Sequence, residues 1–198
     1  MAVQSTTPGP DSALLRVVAA LSTTRVNYWA EFAVDVPLGV TLMLAGARSP
    51  GARPAAAAAT VLFGLLLFSF IEYSFHRWLF HGSVEVIARG HRRHHANPQG
   101  YDALPFFVPA LILLSLCGLL ALVVPRPHAL VLTGTVALSY VAYGLWHFTV
   151  HHHLFRWPPA RDWAANHHIH HYHAETNFGV TSPLWDVVFG TRYARKKA

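Results

Sequence analysis

"AAAAATVLFGLLLFSFIEYSFHRWLFH", residues 55–81, is an apolar run that ends in a carboxylate and two imidazoles. Residues 55–80 are long enough to cross the roughly 30 Å of a bilayer core at about 1.5 Å per residue. The ionisable side chains of this stretch, Glu72, His76, Arg77 and His81, all sit at its C-terminal end. A membrane span that delivers ligand-type residues to one face of the bilayer is therefore the organising unit of the fold.

The flanking sequence repeats the arrangement. Residues 28–46 form an earlier apolar segment with Tyr28 and Trp29 as interfacial anchors, and "RSPGARP" breaks the chain before the span at 55–80. Residues 103–124 predict a third span, "PRP" at 125–127 a turn, and residues 128–148 a fourth that again ends in His. The expected fold is all-α and integral to the membrane, with four transmembrane helices in two hairpins and a helical cap at the His-bearing end. Glu31 and Asp35, spaced i, i+4, share a helix face that is expected to point into the bundle, because carboxylates facing lipid are costly.

Composition agrees. Hydrophobic residues make up 53% of the 198 and charged residues 12%, with a mean hydropathy of +0.32, too few charges to clothe a soluble globule of this size. The length fits one catalytic domain, expected over residues 28–198 behind a tail and interfacial helix at 1–27 that does not read as a signal peptide. Cys117 has no partner for a disulfide within the chain. The net charge of +6 is spread between apolar segments rather than gathered in a stripe, which argues against nucleic acid as a partner. With four spans, Arg16, Arg25, Arg77, Arg89, Arg92, Arg93, Arg156, Arg161, Arg192, Arg195, Lys196 and Lys197 share one side, and Arg48, Arg53 and Arg126 the other. The positive-inside rule makes the first side, with both termini and the histidines, cytoplasmic.

Fourteen of the fifteen His residues fall within 76–95 and 147–173, and only His128 stands apart. "HRWLFH" sets His76 and His81 five apart, about 140° around an α-helix, so either the helix ends between them or they approach a site from two sides. "HRRHH" places His91, His94 and His95 at i, i+3, i+4; "HFTVH" places His147 and His151 at i, i+4; "HHIHH" repeats the first pattern with His167, His170 and His171. These ten imidazoles suffice for five nitrogen ligands to each of two metals. Any one pair alone reads as solvated histidine, but four sets on one membrane face do not. A bis-His cytochrome would need paired His at two depths within the spans, and none lies near mid-membrane. Imidazole suits iron, zinc, copper and nickel, so the ligands alone do not choose the metal. Oxidative chemistry on a lipid C–H bond and a purely structural zinc pair are both physically coherent.

In order and spacing, "HRWLFH", "HRRHH", "HFTVHHH" and "HHIHHYHAETNFGVTSPLWDVVFGT" resemble the boxes of the fatty acid hydroxylase and sterol desaturase superfamily of membrane di-iron oxygenases. The wording is most similar to the fatty acid 2-hydroxylase branch. The resemblance covers about residues 70–191 and implies two iron ions held by the ten histidines, with zinc able to occupy the site in recombinant preparations. It further implies O2 as co-substrate, a lipid substrate from the bilayer, and an electron donor of cytochrome b5 or ferredoxin type. Nothing resembling a haem module precedes Tyr28, so a separate donor protein is expected. A desaturase or sterol-type oxidase on the same scaffold is the alternative. Glu72, one turn before His76, and Asp186 in the terminal motif are candidates for orienting ligand imidazoles from behind. The segment between His81 and His91 is shorter than in eukaryotic lipid hydroxylases, which implies a reduced cap.

Overall fold

The computed structural model describes residues 13–194. The start of the expected tail, residues 1–12, and the basic residues Arg195, Lys196 and Lys197 lie outside the described residues. Among them the regular elements are all helices: α1 (Ala13–Leu21), α2 (Arg25–Ala47), α3 (Pro54–Ser74) continued by a π-helical turn (Phe75–Phe80), α4 (Glu85–Ala96), α5 (Val108–Leu120), α6 (Arg126–His152), α7 (Pro158–Tyr172) and α8 (Leu184–Val188). Among the described residues three helical segments are long and apolar enough to cross a membrane, at Arg25–Ala47, Pro54–Phe80 and Arg126–His152.

α2 starts where Thr24 caps it, its hydroxyl accepting from the Asn27 N–H at 3.1 Å. It then packs along α6, the most extensive helix pair of the fold. Small residues let the two backbones approach. A Cβ on Gly134 would lie 2.8 Å from the Met43 nitrogen and 2.9 Å from the Gly39 carbonyl oxygen, so no larger residue fits that crossing. Glu31 and Asp35 are buried in the bundle, and the Tyr140 hydroxyl donates to Glu31 Oε1. α3 packs on the other side of α6, with Phe68, Leu113, Val136 and Ala137 forming the shared apolar core.

The segment expected as a third span differs. Residues 103–107 are not continuous with α5, and the helix itself has 13 residues, about 20 Å, short of a full crossing. Pro105 disfavours helical backbone at Leu104 before it. Asn27 then stabilises the irregular stretch, its side-chain amide donating to the Leu104 carbonyl at 2.8 Å and its oxygen accepting from the Phe106 N–H at 2.9 Å. The fourth expected span is longer than read: α6 runs on to His152 and carries both His147 and His151.

Candidate metal centre

The four histidine boxes meet at the ends of α3 and α6. His76, His81, His91, His95 and His170 bring one nitrogen each to a first group, and His94, His147, His151, His167 and His171 to a second; within each group the nitrogens lie within 4.8 Å of one another. All ten histidines singled out from spacing are present. Their division between the groups is not the division by box. On α4, the i, i+4 pair His91 and His95 serves the first group and His94 the second; on α7, His167 and His171 serve the second and His170 the first. Each box triplet thus contributes a pair to one group and a single imidazole to the other.

The π-helical turn resolves the spacing of His76 and His81. The helix does not end between them, and they do not reach the site from two sides. The His81 N–H donates to the His76 carbonyl at 3.2 Å, an i to i+5 bond, so the inserted residue brings the two side chains into the same group. An unbroken α-helix would rotate the second imidazole about 140° away.

The nitrogens are spaced for a cation. In the first group the Nε2 atoms of His91 and His76 are 3.1 Å apart, those of His91 and His81 2.9 Å, of His91 and His95 3.0 Å, and of His81 and His170 3.0 Å. In the second group the Nε2 distances are 3.2 Å for His94 and His171, 3.1 Å for His171 and His167, and 3.0 Å for His167 and His151. His76 Nδ1 donates to the Phe178 carbonyl at 2.5 Å and His170 Nδ1 to the Thr176 carbonyl at 2.7 Å, so in the neutral tautomer their Nε2 atoms carry bare lone pairs. A single N–H on His91 cannot bond to three neighbours at once. Lone pairs converging at these distances repel unless a cation lies between them. Two imidazoles at right angles on a metal with bonds of about 2.1 Å have nitrogens about 3.0 Å apart, which matches.

Burial keeps the imidazoles in the form a metal needs. Desolvation, followed by repulsion from neighbouring imidazoles, pushes His94 down to about 3; burial and the neighbouring His95 push His81 down to about 4. His170 is pushed down to about 3, mainly by burial and against the Thr176 carbonyl, which favours the charged form. His91, His95, His167 and His171 are lowered for the same first reason.

Neither Glu72 nor Asp186 touches a ligand imidazole; both hold the loop that does. Glu72 Oε1 accepts from the N–H groups of Val180 at 2.6 Å and Thr181 at 2.8 Å, and the Thr181 hydroxyl donates to Oε2. Asp186 accepts from the N–H groups of Phe178 and Gly179, both at 2.8 Å, and from the Thr191 hydroxyl at 2.7 Å. The loop between α7 and α8 is tight: Asn177 has φ of 53°, and a Cβ on Gly179 would fall 2.0 Å from the Ser182 carbonyl oxygen. The carboxylates therefore position the Phe178 carbonyl, and that carbonyl orients His76. α8 beyond it packs on α3, with Trp185 edge-on to Phe70 and Phe189 stacked on Tyr73.

The remaining histidines belong to neither group. His168 Nε2 lies 3.1 Å from the Val150 carbonyl oxygen, His152 Nδ1 2.9 Å from that of Phe148, and His173 stacks on Tyr193. His128, far from the site, pairs with the Thr60 hydroxyl at 2.8 Å.

Comparison with known proteins places this arrangement. The model of the family described as fatty acid hydroxylase matches residues 61–191. Two Arabidopsis thaliana proteins, the dihydroceramide fatty acyl 2-hydroxylases FAH2 and FAH1, are 34% identical over 106 residues and 31% identical over 104 residues. Each match covers 51% of this chain and 44% of the relative, so the chain spans under half the length of these curated relatives. A solved structure of full-length scs7p, in which only the hydroxylase domain is visible, superposes with a TM-score of 0.75 at 26% identity, over 90% of this chain and 70% of that one.

Proposed function

This chain belongs to the fatty acid hydroxylase family, and on that premise we propose that it is a membrane-bound di-iron monooxygenase that hydroxylates an acyl chain or related lipid, using O2 and electrons from a separate donor protein. The observation that carries the reading is the pair of five-nitrogen groups at the ends of membrane-length helices. A lipid in the bilayer can reach that position without crossing water. The plant relatives are named for 2-hydroxylation of a fatty acyl chain, which makes the carbon beside an acyl carbonyl the first position to test.

Iron bound by the two groups would supply the redox chemistry that reduces O2 and inserts one oxygen atom into a C–H bond, the other leaving as water. The chain's own residues do the rest. His76 and His170 keep their protons on Nδ1, held by the Phe178 and Thr176 carbonyls, so that Nε2 remains a ligand. Glu72 and Asp186 lock the loop that presents the first of those carbonyls. Phe80, stacked on His91, and Phe178, edge-on to His76, pack against the first group, and Tyr143 lies parallel to His147 in the second.

In this reading residues 28–198 form one catalytic domain behind an interfacial α1. α5 with its flanking residues completes the bundle as a fourth, shorter element in the membrane. The twelve-to-three excess of Lys and Arg puts the histidine cap and both termini on the cytoplasmic side.

Lipid analysis of cells expressing the chain tests the proposal. A product heavier by one oxygen is expected with the unchanged chain and not with His147→Ala or His170→Ala. Loss of a hydrogen pair instead would identify a desaturase. Native zinc, with no O2- or donor-dependent turnover once iron is restored, would sink the oxygenase reading.

A further inference from the structure

A cleft of about 560 Å³ opens beside the first nitrogen group, lined among others by Arg77, Trp78, His81, Glu175, Phe178 and Thr191. That volume lies within the range of small-molecule sites. Because His81 is in its wall, a molecule seated there lies against the first group. The cleft is also at the end of a membrane-length helix, with Trp78 half exposed, where a lipid leaving the bilayer would arrive.

Arg77 is the distinctive wall residue. Its guanidinium carbon lies 5.5 Å from the Trp78 ring centroid and 5.9 Å from those of Tyr73, Phe178 and Phe189, which fixes the head in an aromatic surround. Nη1 donates to the Tyr73 hydroxyl at 2.8 Å. Among the described residues the ion pairs involve other arginines, and no carboxylate neutralises Arg77. An arginine offers five N–H donors, so donors remain for a ligand in the cleft. Glu175, exposed and also in the wall, supplies an acceptor of opposite charge.

We propose that this cleft holds the polar end of the acyl substrate, with Arg77 donating to the acyl carbonyl oxygen and so placing the adjacent carbon at the His81 group. The assignment rests on the acyl-hydroxylase reading above. A neutral acyl amide satisfies both charges, its carbonyl facing Arg77 and its N–H facing Glu175, whereas Glu175 opposes a free carboxylate. The amide is therefore the preferred ligand and the acid a weaker one with the same carbonyl contact.

Quenching of Trp78 fluorescence in the metal-loaded, detergent-solubilised protein tests this, with stearamide and stearic acid nitroxide-labelled near the polar end and similarly labelled octadecane as the carbonyl-free probe. Trp78→Phe identifies the signal. Saturable quenching is expected with stearamide, weaker with stearic acid and absent with octadecane. Arg77→Gln should weaken stearamide roughly tenfold or more, the scale of one charge-assisted hydrogen bond, at unchanged metal content. Arg77→Lys should fall between. Ala174→Phe, which fills the cleft from another wall without adding an indole, should abolish saturation and decides the matter if Arg77→Gln does not hold metal. Undiminished binding in Arg77→Gln or Ala174→Phe, or octadecane binding as tightly as stearamide, would overturn the proposal while leaving the hydroxylase reading intact. No saturable binding of either acyl probe by the unchanged chain would overturn both.

Discussion

His94 and His95 are adjacent in the chain and serve different nitrogen groups: His94 Nε2 lies 3.2 Å from that of His171, and His95 Nε2 3.0 Å from that of His91. α7 mirrors this with His170 and His171. Each cap helix therefore bridges both groups, and metal at one group also orders the helix that builds the other.

The division predicts how metal is lost. His94→Ala and His95→Ala should each reduce the content from about two metals per chain to about one. His94→Ala with His147→Ala, both in the second group, should stay near one. His94→Ala with His95→Ala should approach zero. Elemental analysis of purified variants checks the pattern, and equal losses in both double variants would contradict the grouping.

Releasing the loop that orients His76 should weaken metal binding without removing a ligand. Asp186→Ala deletes three acceptor contacts, to Phe178, Gly179 and Thr191. A fall in affinity of about 10- to 100-fold, the usual effect of losing support behind a ligand, is expected in chelator competition. Glu72→Gln keeps an acceptor toward Val180 and Thr181 and should cost less.

The metal-free cap should be acid-sensitive. The folded-state values of His81, His94 and His170, about 4, 3 and 3, lie below the roughly 6.5 of an unfolded imidazole, so the unfolded chain binds more protons in between. Stability is then full above pH of about 6.5 and falls as the pH drops through that value toward about 3. Thermal unfolding of chelator-treated protein in detergent should show a falling midpoint over this window. Metal loading should raise the midpoint near neutral pH and leave the slope at least as steep, because the bound cation excludes protons from the folded state alone.

Gly134→Val tests the crossing that brings α6, with His147 and His151, alongside α2. The added side chain meets the α2 backbone within 3 Å, as the 2.8 Å and 2.9 Å distances for a Cβ alone indicate. A loss of about 1–3 kcal/mol, typical of overpacking, is expected in thermal unfolding. An unchanged midpoint would show that the two helices can separate at little cost.

The sequence by itself located three membrane-length helices, read at residues 28–46, 55–80 and 128–148 and found at 25–47, 54–80 and 126–152, and singled out the ten histidines, because hydropathy over a span and the repeat of a helix turn are local properties. It was blind in three places. Residues 103–107 look like apolar span, yet they are held out of the helix by Pro105 and by Asn27, a partner more than 75 positions away. The five-residue interval of His76 and His81 depends on a π-helical turn that an ideal α-helix hides. On α4, His94 sits about 60° to one side of His91 and His95 about 40° to the other, so helix geometry allows the neighbours to diverge but does not say to which centre each goes. Only the tertiary structure decides that, by setting α4 and α7 against the ends of α3 and α6 and so selecting which imidazoles share a cation. Glu72 and Asp186 are legible as candidates, but their route to His76 is not: the carboxylates act through the backbone of a distant loop, and a contact relayed through main chain leaves no spacing in the sequence to read.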